Sequence, residues 1–140
     1  MRLHRCRLIA GLACAAAVAS AATTEAAQLV RYDTGGGLAG RSTRLVVSAG
    51  GTADQTDRNE GDTKRFKISL SQLHALKREL KAARFSSLKR RYEPKATVFD
   101  GITTAVTYKG KTVVVTSGGN PPERLNKVLN RLARLIRPDR

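Results

Sequence analysis

The stretch that most limits what this chain can become is ITTAVTY-KG-KTVVVTS, residues 102–117, two runs rich in β-branched residues separated only by Lys109-Gly110. A two-residue link ending in glycine between alternating runs predicts an antiparallel hairpin, because glycine takes the positive φ that such tight turns demand. Ile102, Thr104, Val106 and Tyr108 then share one face of the first strand, and Val113 and Val115 share one face of its partner. A sheet with an apolar face needs a cover.

Two segments have the period to supply it. Over residues 69–84, Leu73, Leu76, Leu80 and Ala83 recur at helical spacing, with His74, Arg78 and Lys81 opposite and Lys77 at the border. Ser69 with Gln72 three residues on, or Ser71 alone, can cap the first turn. The second helix is announced by Asn120-Pro121-Pro122-Glu123, read as an N-cap, a proline at the first helical position and an acid at the third. Leu125, Val128, Leu129, Leu132, Leu135 and Ile136 line its apolar stripe, Arg124, Lys127, Arg131 and Arg134 its other side, and Pro138 ends it. Between the helices, Phe85 and Leu88 offer apolar anchors, Lys89-Arg90-Arg91 reads as a solvated turn, and Pro94 forbids a continuing helix.

Upstream, residues 28–33 alternate as a short strand, with Leu29 and Arg31 on one side and Val30 and Tyr32 on the other. Residues 43–48 form a second strand, able to pair with the first as a hairpin. Residues 49–63 contain no large apolar side chain, which predicts a mobile surface excursion. Phe66 and Ile68, alternating with Arg65 and Lys67, mark a third strand. The order ββ, β, α, ββ, α has too few helices for a parallel sheet. The expected fold class is α+β, an antiparallel sheet of four to five strands with two main helices packed on one face.

A length of 140 residues suits one domain. Residues 1–21 read as a signal peptide: three arginines in the first seven residues, an apolar run, and Ala19-Ser20-Ala21 as a small-x-small cleavage site. The apolar run is shorter than the roughly 20 residues that span a bilayer. A lipoprotein signal at Cys14 is the alternative, although Gly11-Leu12-Ala13 places the aliphatic residue differently from the usual lipobox. Residues 22–27 are then a linker and 28–137 the single domain, secreted to an extracytoplasmic compartment. Cys6 and Cys14 both lie in the removed segment, so the exported domain has no disulfide and no thiolate metal site.

The net charge is +15, and removing Arg2, Arg5 and Arg7 leaves about +12. Such a field favours encounter with acidic surfaces. There is no tryptophan, and Phe66, Phe85 and Tyr108 are plausible core residues, so sequence-specific nucleic-acid recognition is not expected. Only His74 survives export, and the acids are scattered, so neither a triad, a zinc cluster nor a paired-carboxylate site is assembled on paper. The expectation is a non-enzyme without metal or cofactor.

One loop stands out. Residues 34–42, TGGGLAGRS, set a single apolar side chain, Leu38, among Gly35, Gly36, Gly37, Ala39 and Gly40. Glycines permit positive φ or close approach to another molecule, so the run reads as a shaped loop, or more blandly as a turn between strands. As G-x-x-x-x-G-R-S it falls one residue short of a phosphate-binding P-loop, with Arg41 in place of lysine and β-rich sequence where a helix should begin. Leu38 either stands out as an anchor or turns inward as a plug.

Taken with a strand entering Gly36-Gly37-Leu38-Ala39-Gly40, a helix running into Phe85, Asp100 ahead of a hairpin and a proline-started terminal helix, the sequence resembles the emfourin family over most of residues 29–136. Emfourin-like proteins are small α+β inhibitors of thermolysin-like zinc metallopeptidases. The chain departs from typical members in its export signal, its basicity and the insertion at 49–63. The resemblance implies a monomeric inhibitor whose loop Gly35, Gly36, Gly37, Leu38, Ala39 and Gly40 enters the protease cleft, flanked by Ser117, Gly118 and Gly119. The alternative partner is an anionic cell-envelope polymer, bound through charge without inhibition.

Overall fold

In a computed structural model of the chain, residues 27–38, 40–96, 98 and 100–136 are described. The expected signal peptide with Cys6 and Cys14, residues 22–26 of the linker, Ala39 and residue 137 lie outside them. The fold is α+β, in the order β1 (Gln28–Gly36), β2 (Arg41–Ser48), β3 (Thr52–Asp57), β4 (Thr63–Lys67), α1 (Leu70–Ala82), β5 (Arg91–Tyr92), β6 (Ile102–Tyr108), β7 (Lys111–Thr116) and α2 (Glu123–Leu135). A short 3₁₀ turn, Phe85–Ser87, follows α1.

Among the described residues the sheet has seven strands, in the order β4-β3-β2-β1-β6-β7-β5, which corrects the expected four to five. It is also mixed, because β5 runs parallel to β7 while the other pairs are antiparallel. Two strands are added to the expected set, β5 and β3, and β3 comes from residues 49–63, expected to be a mobile excursion. Here β3 is an interior strand, paired with β2 on one side and β4 on the other. Its side chains give little apolar signal because Ala53, fully buried, is its one core residue. Backbone pairing on both sides places it, and the Asp54–Arg65 ion pair, Nε to Oδ1 2.6 Å, ties it to β4. β5 was hidden in the basic run: Arg91 and Tyr92 lie beside Val114 and Val115.

The register puts Val30, Tyr32, Leu45, Val47, Ala53, Val106 and Val113 on one face of the sheet. These residues form one buried cluster with Leu73, Leu76 and Leu80 of α1 and Leu125, Val128, Leu132 and Leu135 of α2. Each fully buried Leu or Val contributes roughly 1.5–3 kcal/mol through area removed from water. Phe85 closes the cluster beyond α1, its ring edge-on to Tyr108 with centroids 5.3 Å apart.

The helix ends differ in how well they follow the sequence. At α1, Ser69 and Gln72 form the full capping box, settling the choice between Ser69 and Ser71. At α2 the helix begins at Glu123 and the cap is Pro122, with no side-chain cap bond, where Asn120 was expected. The second proline explains the delay. A residue before proline is pushed out of the helical region, so Pro121 cannot be helical, and Pro122 is itself extended at φ −63, ψ 149. α1 and α2 are joined by Glu79 and Arg131, whose carboxylate and guanidinium meet through two hydrogen bonds of 2.7 and 2.5 Å.

Candidate functional site

The glycine run is partly strand. Gly35 and Gly36 close β1, with Gly35 paired to Ser42 and Thr103 and Gly36 to Arg41 and Ile102. The turn proper begins at Gly37, and the amide of Gly40 closes it by donating to the Gly37 carbonyl at 2.9 Å. Gly36 has φ +112, and a Cβ there would stand 2.5 Å from the Gly101 carbonyl oxygen. Only glycine lets the β1 end and the β6 start lie this close. Gly37 and Gly40 take φ +77 and +55, so the turn also depends on glycine for its shape.

This geometry turns Leu38 outward. It is 97% exposed, which removes the inward-plug alternative. Ala39, the other small residue expected in the loop, lies outside the described residues.

Neighbouring turns hold the tip. Asn59, in the β3–β4 turn, donates from Nδ2 to the Gly40 carbonyl at 3.0 Å, and the Arg58 amide donates to the Ser42 carbonyl at 2.8 Å. Asp57 fixes that turn by accepting from the amides of Asn59 and Glu60 at 2.9 and 3.4 Å. At the base of the hairpin, Asp33 accepts from Nε of both Arg31 and Arg44, each at 2.7 Å. Burial alone would raise the Asp33 pKa, but the hydrogen bonds and charges of Arg44 and Arg31 outweigh it and hold the carboxyl below its ordinary value.

The expected flanking residues sit at the same end of the sheet. Ser117 exchanges hydrogen bonds with Ile102, its hydroxyl accepting from the Ile102 amide at 3.0 Å and its amide donating to the Ile102 carbonyl at 2.9 Å. Ile102 is in turn the β-partner of Gly36, so one residue links the two groups. Gly118, at φ +81, lies under Pro94 and Val98, and the Gly119 backbone lies against the Tyr92 carbonyl.

Two further apolar residues lie near this tip: Val98, not singled out from sequence, and Ile102, placed by the sequence only on a strand face. Ile102 is 50% exposed and Val98 45%, and with Leu38 they make up three of the four large exposed hydrophobic residues among those described. By alternation Ile102 belongs to the face of Val106, but exposure rises along that strand as it runs toward the tip. A Cβ on Gly37 would be 3.9 Å from Cγ1 of Ile102, and one on Gly118 would be 3.9 Å from Cγ2 of Val98. Sequence alternation marks a face; it carries no sign of where along the strand the cover stops.

An open cleft of about 740 Å³ lies between β1 and the C-terminal part of α2, lined by Tyr32, Thr34, Asn130, Ala133, Arg134 and Ile136. Burial raises the Tyr32 pKa, opposed by hydrogen bonds with Thr104 and Thr34. Among the described residues no three His, Cys, Asp or Glu side chains gather as a metal site, and no helix is long and apolar enough to cross a membrane. The arrangement offers an apolar-tipped surface whose turn is held by backbone hydrogen bonds and by the Asn59 side chain.

No curated protein matches the chain. One family model does, over residues 51–136, a segment that contains β3 through α2 and begins after the glycine turn. The chain belongs to the family described as Domain of unknown function (DUF6438).

Proposed function

We propose that this protein is a secreted inhibitor of thermolysin-like zinc metallopeptidases, in which the β1–β2 tip blocks the substrate cleft and Leu38 fills an apolar pocket. The observation that carries the reading is the 97% exposure of Leu38 on a turn whose strands are paired on both sides. With the part-exposed Ile102 and Val98 at the same end of the sheet, Leu38 makes an apolar patch of the kind a partner covers. The strand pairs and the Asn59 brace order the loop before contact, which lowers the entropy cost of binding. Both helices pack on one face of the sheet and serve as backing for the tip. The class of partner is drawn from the emfourin resemblance, and the domain acts as a monomer without metal or cofactor.

Burying one leucine is worth roughly 1.5–3 kcal/mol, so Leu38→Ala should weaken inhibition of a purified thermolysin-like protease by about tenfold to a hundredfold. Its melting temperature should not change. A folded Leu38→Ala variant that inhibits as well as the parent removes Leu38 from the mechanism, and a parent that does not inhibit removes the mechanism. The exported form should begin near Ala22 and contain no cysteine, which intact mass reads directly. A second reading, a basic domain that holds anionic envelope polymers, is favoured by the net charge of +15.

A further inference from the structure

The positive charge is not spread evenly over the molecule. Residues 70–91 together with α2 carry eleven Lys and Arg against two acids, Glu79 and Glu123. Both acids are engaged, Glu79 with Arg131 and Glu123 with Lys127. The tip end is close to balanced, with Arg41, Arg58 and Lys95 offset by acids of the β3–β4 turn and by Asp100.

Within the basic layer, the line of contact between α1 and α2 is hollowed. One depression of about 400 Å³ is lined by Glu79, Ala82, Pro122, Glu123, Arg124 and Lys127. A second, of about 160 Å³, continues it past Glu79 and Lys127 to Asn130, Arg131 and Arg134. Arg124, Lys127, Arg131 and Arg134 recur at three- and four-residue steps, so they fall on one flank of α2. Ten residues of helix place the first and last about 15 Å apart along the axis. The Glu79 pair uses the Nε and Nη2 edge of Arg131, and Ser87 receives Nη2 of Arg124 at 3.1 Å, so both guanidinium groups are already positioned.

We infer that the α1–α2 groove binds a linear phosphate polymer that carries no bases. This goes beyond the inhibitory tip, gives the second reading a place in the fold, and shares no residue with the tip. Three of the four groove cations are arginines, whose planar donor fork matches phosphate oxygens. A groove suits a chain better than it suits a flat bilayer. Among the described residues no aromatic ring lines either depression, so they offer no platform on which bases could stack.

The test is binding of the full chain to long-chain inorganic polyphosphate across a salt series. Each phosphate contact should contribute about 0.7 to the log–log salt slope, as on single strands, so the triple variant Arg124→Gln, Lys127→Gln, Arg134→Gln should flatten the slope by about 2 and weaken binding at least about tenfold. Lys64→Gln, Lys67→Gln, Lys109→Gln removes equal charge elsewhere and should keep the slope. Equal losses in the two triples would overturn the groove in favour of a diffuse field. Ala82→Trp fills the first depression without altering charge and should also weaken binding; full binding by that variant would equally overturn the site. At equal phosphate count, tighter binding of a mixed-sequence single-stranded oligonucleotide would overturn the assignment to a base-free polymer. Leu38→Ala should bind polyphosphate like the parent, and a loss there would overturn the independence of the two surfaces.

Discussion

Leu38 at the sheet tip is 97% exposed, while Leu132 in α2 is fully buried, and the contrast between their surroundings separates what holds the fold from what the fold presents. Leu132 belongs to a cluster in which sheet and helices share apolar area. Leu38 projects from a turn shaped by backbone hydrogen bonds and glycine dihedrals. A second antiparallel hairpin, β6–β7, sharpens the point. Lys109-Gly110 joins β6 to β7 in two residues, both at positive φ, and presents no apolar side chain. The β1–β2 turn, residues 37–40, is longer and takes positive φ at Gly37 and Gly40, so ordering it costs more chain entropy.

The comparison can be broken first at the core. Leu132→Ala should cost about 2–5 kcal/mol in a denaturant melt, the usual range for a truncated buried leucine. Arg131→Ala, one residue away, should cost only about 1 kcal/mol, because its pair with Glu79 has good geometry but remains about a third exposed. Equal losses would place the wrong side of α2 in the core.

Gly36→Ala comes next. It forces a side chain toward the Gly101 carbonyl at a positive φ, and should destabilise by about 1–3 kcal/mol. It should also weaken any function of the tip. A neutral result would show that the β1 end and β6 start can separate freely, and that the tip is less anchored than its pairing implies.

The hairpin base gives a pH test. Asp33 has a folded pKa below its ordinary 3.8, so its pairs with Arg31 and Arg44 contribute fully above that value and are lost as pH falls through the lowered folded pKa. Asp33→Asn should therefore cost about 1–2 kcal/mol at neutral pH, discounted for the partial exposure of both arginines. It should also remove part of the parent's loss of stability below about pH 4. Thermal melts at both pH values read it, and an unchanged acid limb would assign that loss to other carboxylates. The smallest effect expected is on the other leucine: Leu38→Ala should shift stability by less than about 0.5 kcal/mol.

The two helices and the β6–β7 hairpin were legible because their apolar residues repeat with a clear period. β3 was not, since its alternation rests on a single alanine and its stability on neighbours far away in sequence. The α2 start was displaced by the second proline of a pair, a local effect that a cap-and-proline pattern overlooks. At the candidate site, Leu38 stands out in the sequence because one large apolar residue among glycines has few local reasons to be there, while its direction, outward or inward, is left open. Its setting could not be read there: the Asn59 brace spans 19 residues, and the link through Ile102 depends on two separate strand registers.

The strand order also governs how the sheet meets its own copies. Its two outermost members are β4, TKRFK, with three cationic side chains in five residues, and β5, only two residues long and followed within two positions by Pro94. Charge on one border and brevity on the other discourage a further strand from docking alongside. The sheet is thus closed to growth sideways even though it is never rolled into a barrel. The apolar tip, carried on the interior β1–β2 hairpin, is thereby set apart from both borders at which a strand could be added.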